Sequence, residues 1–569
     1  MLGMNDISPY VLSEQLTEEL RNSLYPSEHP LLAQLLYTRG VTDKKDIDAL
    51  FAFSYSDLHD PFLFKDMDVA VDRVLKAIKK NEKICVYTDY DTDGIPAGAL
   101  LYTFFTKIGY KNFFNYIPHR NKEGYSLNMT ACKAFVEDKV ELIITADCGI
   151  TDIEEVAYLT DNGVDVIITD HHLPGETLPN ALAVIDHKVP DNTYPDVDLC
   201  GCAVAWKLVV ALIHRGKELN IIGFGEIPEG WEKTLLDLVA ISTICDMVPL
   251  VGENRLLVHF GMRVLSLTRR AGLQKIIKNS GLSEISVDDV AFMIGPRINA
   301  ASRLEDPMIS FTALAKNDSE GVAAANDLEK INTLRKTKSA TIMRSVWKKL
   351  ESRELGPVIV IGDRSWPLGI LGLIANKIAE RYQRPTFVWS ELEGKIKGSC
   401  RSGSDISVHS LMDHSSESFS HFGGHAASGG FVTTPDKIVI LERELSKNIE
   451  RTDRIEQEQQ PVDMNLLPRH ISQESYDQIE KLKPFGMSYP KPLFSLTIDT
   501  YNTRTFGKNS EHLEIQIPQE RGFARATAFY CPEFIEIASG TGPITIIGNI
   551  IKDTYNGVTR YGMRIIDIV

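Results

Sequence analysis

At 569 residues, with 43% hydrophobic and 24% charged side chains, the chain is too long for one core and reads as roughly three or four globular domains. Its 61 Lys and Arg against 77 Asp and Glu, a net of -16, argue against a protein that coats nucleic acid through bulk positive charge. They leave room for an enzyme whose metal-binding carboxylates count as negative until cations fill them. No apolar run approaches the roughly 20 residues that span a bilayer. The opening "MLGMNDISPYVLSEQL" has no basic stretch leading into an apolar one, so the chain reads as cytoplasmic. Eight cysteines are scattered without CxxC spacing and read as reduced core thiols. Cys200 and Cys202 form the one close pair.

Residues 1–60 are expected to form an N-terminal helical segment. From about residue 84, short apolar runs alternate with helical stretches: "ICVY" (84–87), "ELIITA" (141–146), "DVIIT" (165–169) and "ALAVID" (181–186). Such runs are strands covered on both faces, and the spacers are crossover helices, so residues 61–316 are expected to form an α/β domain on a parallel sheet. Residues 317–351 place Leu328, Ile331, Leu334, Ile342, Val346 and Leu350 at spacings near a helical period, which predicts one long connecting helix. A second, smaller α/β pattern follows over 352–448, with "GPVIVIGD" and "PTFVW" as strands and "LGLIANKIAERY" as a helix. The charged stretch 448–461 is a connector. Residues 461–569 alternate short strands with turn signals and predict a small β-barrel.

The first three strands of the larger domain each end in an acid or an acid with histidines: Asp89, Asp91 and Asp93 in "DYDTDG", Asp147 in "ADCG", and Asp170-His171-His172. Ligands of parallel sheets sit beyond the carboxyl ends of the strands, so the clusters should converge. In an extended segment residues i, i+2 and i+4 face one way, which would aim Asp89, Asp91 and Asp93 at one point, with Gly94 permitting a turn. Asp246 in "AISTICDMVPL" adds an acid inside an apolar segment. Mixed carboxylate and imidazole ligands suit Mn²⁺ or Mg²⁺ better than zinc. Two such ions, roughly 3.5 to 4 Å apart, activate water and clamp a phosphoryl group, which points to phosphoester hydrolysis. Spacing leaves Asp89 open between direct ligation and holding a metal-bound water.

"DYDTDG", "ADCG", "DHH" and "CDMVPL", in that order, resemble the four motifs of the DHH phosphoesterases. "IGPRINAASR" (294–303), "GKIKGSCRS" (394–402), "FGGHAASGGF" (422–431) and "KPFGMSYPKPLF" (483–494) resemble the RecJ exonucleases within that superfamily. The resemblance implies a DHH catalytic domain, a long connecting helix, a DHH-associated domain and a C-terminal OB-fold. It implies 5′ to 3′ hydrolysis of single-stranded DNA with two Mn²⁺ or Mg²⁺ ions, a role in DNA repair and recombination, and single-strand-binding protein and a helicase as partners. By the same resemblance Asp89, Asp91, Asp93, Asp147, His171 and Asp246 are metal ligands, His172 meets the scissile phosphate, and Asp170 supports the histidines. Arg120, Arg297, Asn299, Arg303, Ser399, Arg401 and His425 are substrate contacts, with Ser399, Arg401 and Arg303 resembling a 5′-phosphate pocket. On the barrel, Phe494, Tyr501 and Phe506 are candidates for base stacking.

The chain departs from that pattern where Pro367 stands in place of a histidine in "WPLG", Ser302 and Cys400 replace glycines, and Thr88 replaces the glycine before the first acid. Two rival readings are a DHH phosphodiesterase acting on short oligonucleotides or cyclic dinucleotides, which the added barrel disfavours, and a catalytically inactive replication scaffold, which predicts missing carboxylates.

Overall fold

The computed structural model describes residues 9–455, 459–540, 542–555 and 558–569; residues 456–458 of the charged connector lie outside them. The chain divides into two compact units, one drawn from Met1–Asp57 and Glu458–Val569, the other being Leu58–Gln457.

In the larger unit five strands, β1 (Ile84–Thr88), β2 (Phe113–Tyr116), β3 (Leu142–Ala146), β4 (Asp165–Thr169) and β5 (Ala183–Ile185), form a sheet of order β2-β1-β3-β4-β5. Every pairing is parallel. β1 and β3 are buried at all five positions, as strands covered on both faces must be. The edge strand β2, "FFNY", escapes sequence reading because it is short and half-buried throughout, with no alternation. One side of the sheet packs through Tyr87, Ile143 and Ile168 onto Phe135, Val156 and Leu159 of the helices Met129–Glu137 and Ile153–Asp161. The helices Gly94–Lys107 and Gly201–Glu218 pack on each other and on the sheet. Register carries the functional consequence: Thr88 pairs with Ala146, Ala146 with Thr169, and Thr169 with Ile185. Four strands therefore finish level, and the next residue of each is an aspartate: Asp89, Asp147, Asp170 and Asp186.

A helix of 33 residues, Ser319–Glu351, follows, started by the Asp318 carboxylate accepting from the Glu320 and Gly321 amides. At 1.5 Å per residue it is about 50 Å long. The second sheet holds β6 (Ile359–Gly362), β7 (Thr386–Leu392), β8 (Lys395–Arg401), β9 (His421–His425) and β10 (Ser428–Thr433) in the order β9-β10-β8-β7-β6. Only β6 and β7 run parallel. The glycine-dense "FGGHAASGGF" lies in the paired strands β9 and β10, with Gly423 opposite Gly430 and Gly424 opposite Gly429.

In the smaller unit seven strands form one sheet in the order Met464–Asn465, Phe494–Ile498, Ile544–Tyr555, Val558–Ile568, Phe523–Phe529, His512–Pro518 and Asn502–Phe506. The N-terminal helices Glu18–Leu24, Pro30–Thr38 and Lys44–Phe51 belong to the same unit: Tyr25, Leu32 and Leu36 share a core with Phe494, Leu513 and Ile515. Tyr10–Leu12 pairs in parallel with Gln460–Val462, so both ends of the sequence build this unit. The eight cysteines are free, and seven of them are buried. Among the described residues no helix is long and apolar enough to cross a membrane.

Candidate metal and phosphate site

The acids at the strand ends meet above the C-terminal edge of the first sheet. Ligand atoms of Asp89, Asp91 and Asp147 lie within 4.8 Å of one another, as do those of Asp93, His171 and Asp246, and those of Asp147, His171 and His172. The three acids of "DYDTDG" thus divide between two groups, and Asp147 and His171 each join two. His171 Nε2 stands 3.2 Å from Asp147 Oδ1, 3.6 Å from Asp93 Oδ2 and 3.7 Å from Asp246 Oδ2.

The route to this convergence differs from the extended segment expected. After Asp89 the chain turns, and the Asp91 carboxylate accepts from the Asp93 and Gly94 amides at 2.7 and 3.2 Å, which starts the helix Gly94–Lys107. Gly94 is needed there because a Cβ would fall against the Asp89 backbone. Asp93 is held by the start of another helix, its two oxygens accepting from the Gly201 and Cys202 amides at 2.6 and 2.8 Å. That helix end also carries a favourable positive partial charge. Asp147 has φ of +65°, a left-handed conformation that costs an aspartate little and is common where function fixes the backbone.

Burial and mutual repulsion drive the cluster toward protonation when no cation is bound. Burial first, then the neighbouring acids, raises the Asp89 and Asp147 carboxyls well above the ordinary range. Asp93 is also raised, chiefly by burial. Burial with Asp93 and Asp91 pushes Asp246 to about 8. Burial lowers His171, keeping the imidazole neutral and able to ligate. Asp89 Oδ1 and both ring nitrogens of His171 are buried without a hydrogen-bond partner. A carboxylate oxygen and an imidazole left without partners, in a set of five carboxylates and an imidazole, fit hard divalent cations.

His172 differs from His171. Its Nδ1 lies 2.8 Å from Asp170 Oδ1, and although burial opposes the charge, that hydrogen bond raises the imidazole to about 9. Asp170 is fully buried and accepts from the His171, His172 and Ile150 amides as well; burial alone would raise it, but the bonds and charge of the histidines hold it low. His172 is thus a charged donor at neutral pH, with its side chain 45% exposed. Tyr125, which sequence reading missed, sets its hydroxyl 3.3 Å from His172 Nδ1 and 3.4 Å from the Asp147 carbonyl. A lone tyrosine in "EGYSLN" carries no spacing signal.

Beside the acids lies a cavity of about 560 Å³ lined by Tyr90, Arg120, Arg303, Ser399, Arg401 and His425, with Lys397 and the glycines of β9 and β10. Tyr90 sits between Asp89 and Asp91 in the chain, and the Arg120 guanidinium lies 4.9 Å above its ring. Arg303 Nη1 donates to the Gly369 carbonyl at 2.9 Å, while its Nε is buried and unpartnered. Burial lowers Arg303 to about 10, which leaves it charged. Arg401 Nη1 lies 3.2 Å from Ser399 Oγ, and Ser399 donates to the Gly429 carbonyl.

Two expected substrate contacts fall elsewhere. Arg297 is buried and spent on the long helix, its Nε 2.6 Å from Glu329 Oε2 and its Nη1 on the Met293 carbonyl. Asn299 is half-buried on the same helix as Arg297 and does not line the cavity. The departures at 302 and 400 leave the cavity alone. Ser302 Oγ bonds the Asn299 carbonyl, and Cys400, on the opposite face of β8 from Ser399 and Arg401, packs 4.0 Å from Met412 Sδ. Pro367 precedes the lining pair Leu368 and Gly369. Thr88 is fully buried with its hydroxyl unpartnered.

In the smaller unit Phe494 is fully buried in the core and cannot stack on a base, because its strand faces that side chain inward. Tyr501 packs against the same core. Phe506 joins a surface group instead: its ring lies 5.0 Å from His512 and 5.7 Å from Phe529. Phe529 is 44% and Tyr530 75% exposed, and the Arg564 guanidinium stands 4.5 Å from the Phe529 ring. Exposed rings beside a cation are chemically suited to stacking on bases.

Comparison with known proteins matches the chain domain by domain. Residues 83–243 match the DHH family N-terminal domain, 355–450 the DHHA1 domain, and 462–567 the RecJ OB domain. The chain is 32% identical to the single-stranded-DNA-specific exonuclease RecJ of Bacillus subtilis (strain 168), over 97% of this chain and 69% of the relative. It is 29% identical to the protein of the same name from Haemophilus influenzae, over 87% and 88%. A crystal structure of RecJ with Mn²⁺ from Thermus thermophilus superposes with a TM-score of 0.81 at 26% identity, covering all of this chain and 80% of that one. A second, of exonuclease RecJ bound to manganese, gives 0.59 at 30% identity over 68% of this chain and 95% of that one.

Proposed function

Because the chain belongs to the RecJ family of single-stranded-DNA-specific exonucleases, we propose that it removes nucleotides from the 5′ end of single-stranded DNA by metal-assisted hydrolysis. One observation carries the polarity: Tyr90 lines the arginine pocket while the acids on either side of it, Asp89 and Asp91, belong to the metal group. A terminal phosphate seated on Arg303, Ser399 and Arg401 brings the neighbouring phosphodiester to the acids. An internal segment has no terminal phosphate to seat.

Asp89, Asp91, Asp147, Asp93, His171 and Asp246 would hold the ions, which family structures contain as Mn²⁺ or Mg²⁺. When bound, the ions supply an activated water and neutralise charge on the phosphoryl group. The chain's own residues do the rest. His172, kept charged by Asp170, donates to a phosphate oxygen as negative charge grows there. Arg120, planar over Tyr90, holds the strand at the mouth of the pocket. The Gly201 and Cys202 amides fix the Asp93 carboxylate, so the acids stay aimed before substrate arrives.

Phe506, Phe529 and Tyr530 serve as a stacking surface for the rest of the strand. Single-strand-binding protein and a helicase are its working partners in the cytoplasm, which co-purification from cell extract tests. The scaffold reading predicted lost carboxylates, and all six expected ligands are present. The test is digestion of matched single-stranded and duplex oligonucleotides labelled at either end, with Mn²⁺ and then EDTA. Mononucleotides released from the 5′ end of the single strand alone, and abolished by EDTA, fit the proposal; equal cutting of duplex, or release starting from the 3′ label, refutes it.

A further inference from the structure

A second cavity in the larger unit, about 910 Å³, shares no lining residue with the acids or the arginine pocket. Six cations line it against two carboxylates: Asp237 binds Arg270 at 3.1 Å and accepts from Thr268, and Asp318 Oδ1 caps the long helix. Lys107, Arg263 and Arg269 are exposed and have no ion-pair partner among the described residues. Lys316 Nζ donates to the Tyr102 hydroxyl at 2.8 Å and lies near the Asp318 and Glu320 carboxylates. A local positive excess of this size is unexpected in a chain of net charge -16, and unpaired like charges raise the energy of the fold unless an anion meets them.

Most of the remaining exposed wall is apolar, although Thr103, Thr106, Thr234, Thr268 and Asn317 also line it. Trp231 is half-buried in it, Val264 lies beside it, and Leu267 is 79% exposed at its rim. Two helices, Ala271–Asn279 and Ser319–Glu351, begin at the wall, with the Ala271 amide meeting Asn317 Oδ1 and the Glu320 and Gly321 amides meeting Asp318 Oδ1. The volume is that of a small-molecule site, which run from about 300 to 1,000 Å³. An indole and an exposed leucine beside clustered cations in one chamber match a ligand with a planar ring at one end and several phosphates at the other.

We propose that this cavity binds a nucleoside polyphosphate, the base against Trp231 and Leu267 and the phosphates among Lys107, Arg263, Arg269 and Lys316. The site is independent of the exonuclease reading, since it uses none of that machinery. The test is calorimetric titration of the full-length, metal-free protein in EDTA, so that the acid cluster takes no part, with adenosine triphosphate, inorganic triphosphate, adenosine and an acidic peptide in separate runs. Adenosine triphosphate should bind with a submillimolar Kd, with each of the other three at least about tenfold weaker. Arg263→Ser with Arg269→Ser, both at exposed positions, should weaken it about tenfold or more, and Asp147→Ala should leave it unchanged. No saturation at several millimolar, undiminished binding by the double arginine variant, inorganic triphosphate or acidic peptide binding as tightly, or loss of binding in Asp147→Ala would each overturn the proposal.

Discussion

Gly201 and Asp147 touch across the site: a Cβ on Gly201 would lie 2.6 Å from Asp147 Cβ and 2.9 Å from its Oδ1. The helix that begins at Gly201 can therefore approach the metal group closely enough for its first amides to bond Asp93. Gly201→Ala must displace Asp147, the helix start, or both. Since groups that orient metal ligands are worth about 10 to 100-fold in affinity or activity, this variant should lose that much in Mn²⁺ affinity while its circular dichroism stays native. Mn²⁺ titration followed by protein fluorescence checks this, and wild-type affinity would sink it.

Asp170 acts through His172. Asp170→Asn preserves size but removes the charge that raises the imidazole to about 9, so His172 should be neutral above its ordinary value near 6.5. The kcat of Asp170→Asn should fall about 10 to 100-fold at pH 8 and partly recover at pH 6, where His172 regains its proton. A pH–rate profile parallel to wild type would show that Asp170 has only a structural role.

The metal-free protein should lose stability as pH rises. Asp246 has a folded value of about 8 against 3.8, and Asp89, Asp93 and Asp147 are also raised. The folded state holds protons that the unfolded chain has released, so their contribution is full below about 3.8 and is lost as pH rises through about 8. His171, with a lowered value, acts in the opposite sense and only as pH falls below about 6.5. Mn²⁺ or Mg²⁺ replaces the protons. The metal-induced rise in Tm should therefore be larger at pH 8.5 than at pH 5.5, measured by scanning calorimetry; an equal or reversed shift would contradict it.

The arginine pocket predicts end discrimination. Arg401→Ala should raise KM for a 5′-phosphorylated strand about tenfold or more while leaving a 5′-hydroxyl strand nearly unchanged, as loss of a charge-assisted contact worth about 1.5 to 3 kcal/mol requires. Steady-state kinetics on the two substrates decides it. Equal losses on both would move Arg401 out of the phosphate site.

Much of this was readable because the chemistry sits where a parallel sheet must place it. Apolar runs that stop at acids marked β1, β3 and β4, and with them Asp89, Asp147 and Asp170. The pocket of Arg303, Ser399 and Arg401 came from the resemblance of the surrounding motifs to the RecJ exonucleases, not from the residues alone. What failed to show involved partners distant in sequence or roles of the backbone. Arg297 looked like a phosphate ligand until its partner Glu329, 32 residues on, was in view. Cys200 and Cys202 read as a close cysteine pair, yet what this segment contributes is the amides of Gly201 and Cys202. Phe494 and Phe529 are both strand aromatics, and sequence cannot tell which face of the sheet each one takes when register is unknown.

The rate at which the Asp147→Ala variant releases nucleotides from a 5′-phosphorylated single strand in Mn²⁺ tests the central claim most directly. Asp147 belongs to two of the three ligand groups, so its loss should reduce the rate by several orders of magnitude in a protein that still melts cooperatively. A folded variant cleaving at the wild-type rate would show that hydrolysis occurs somewhere other than at these acids.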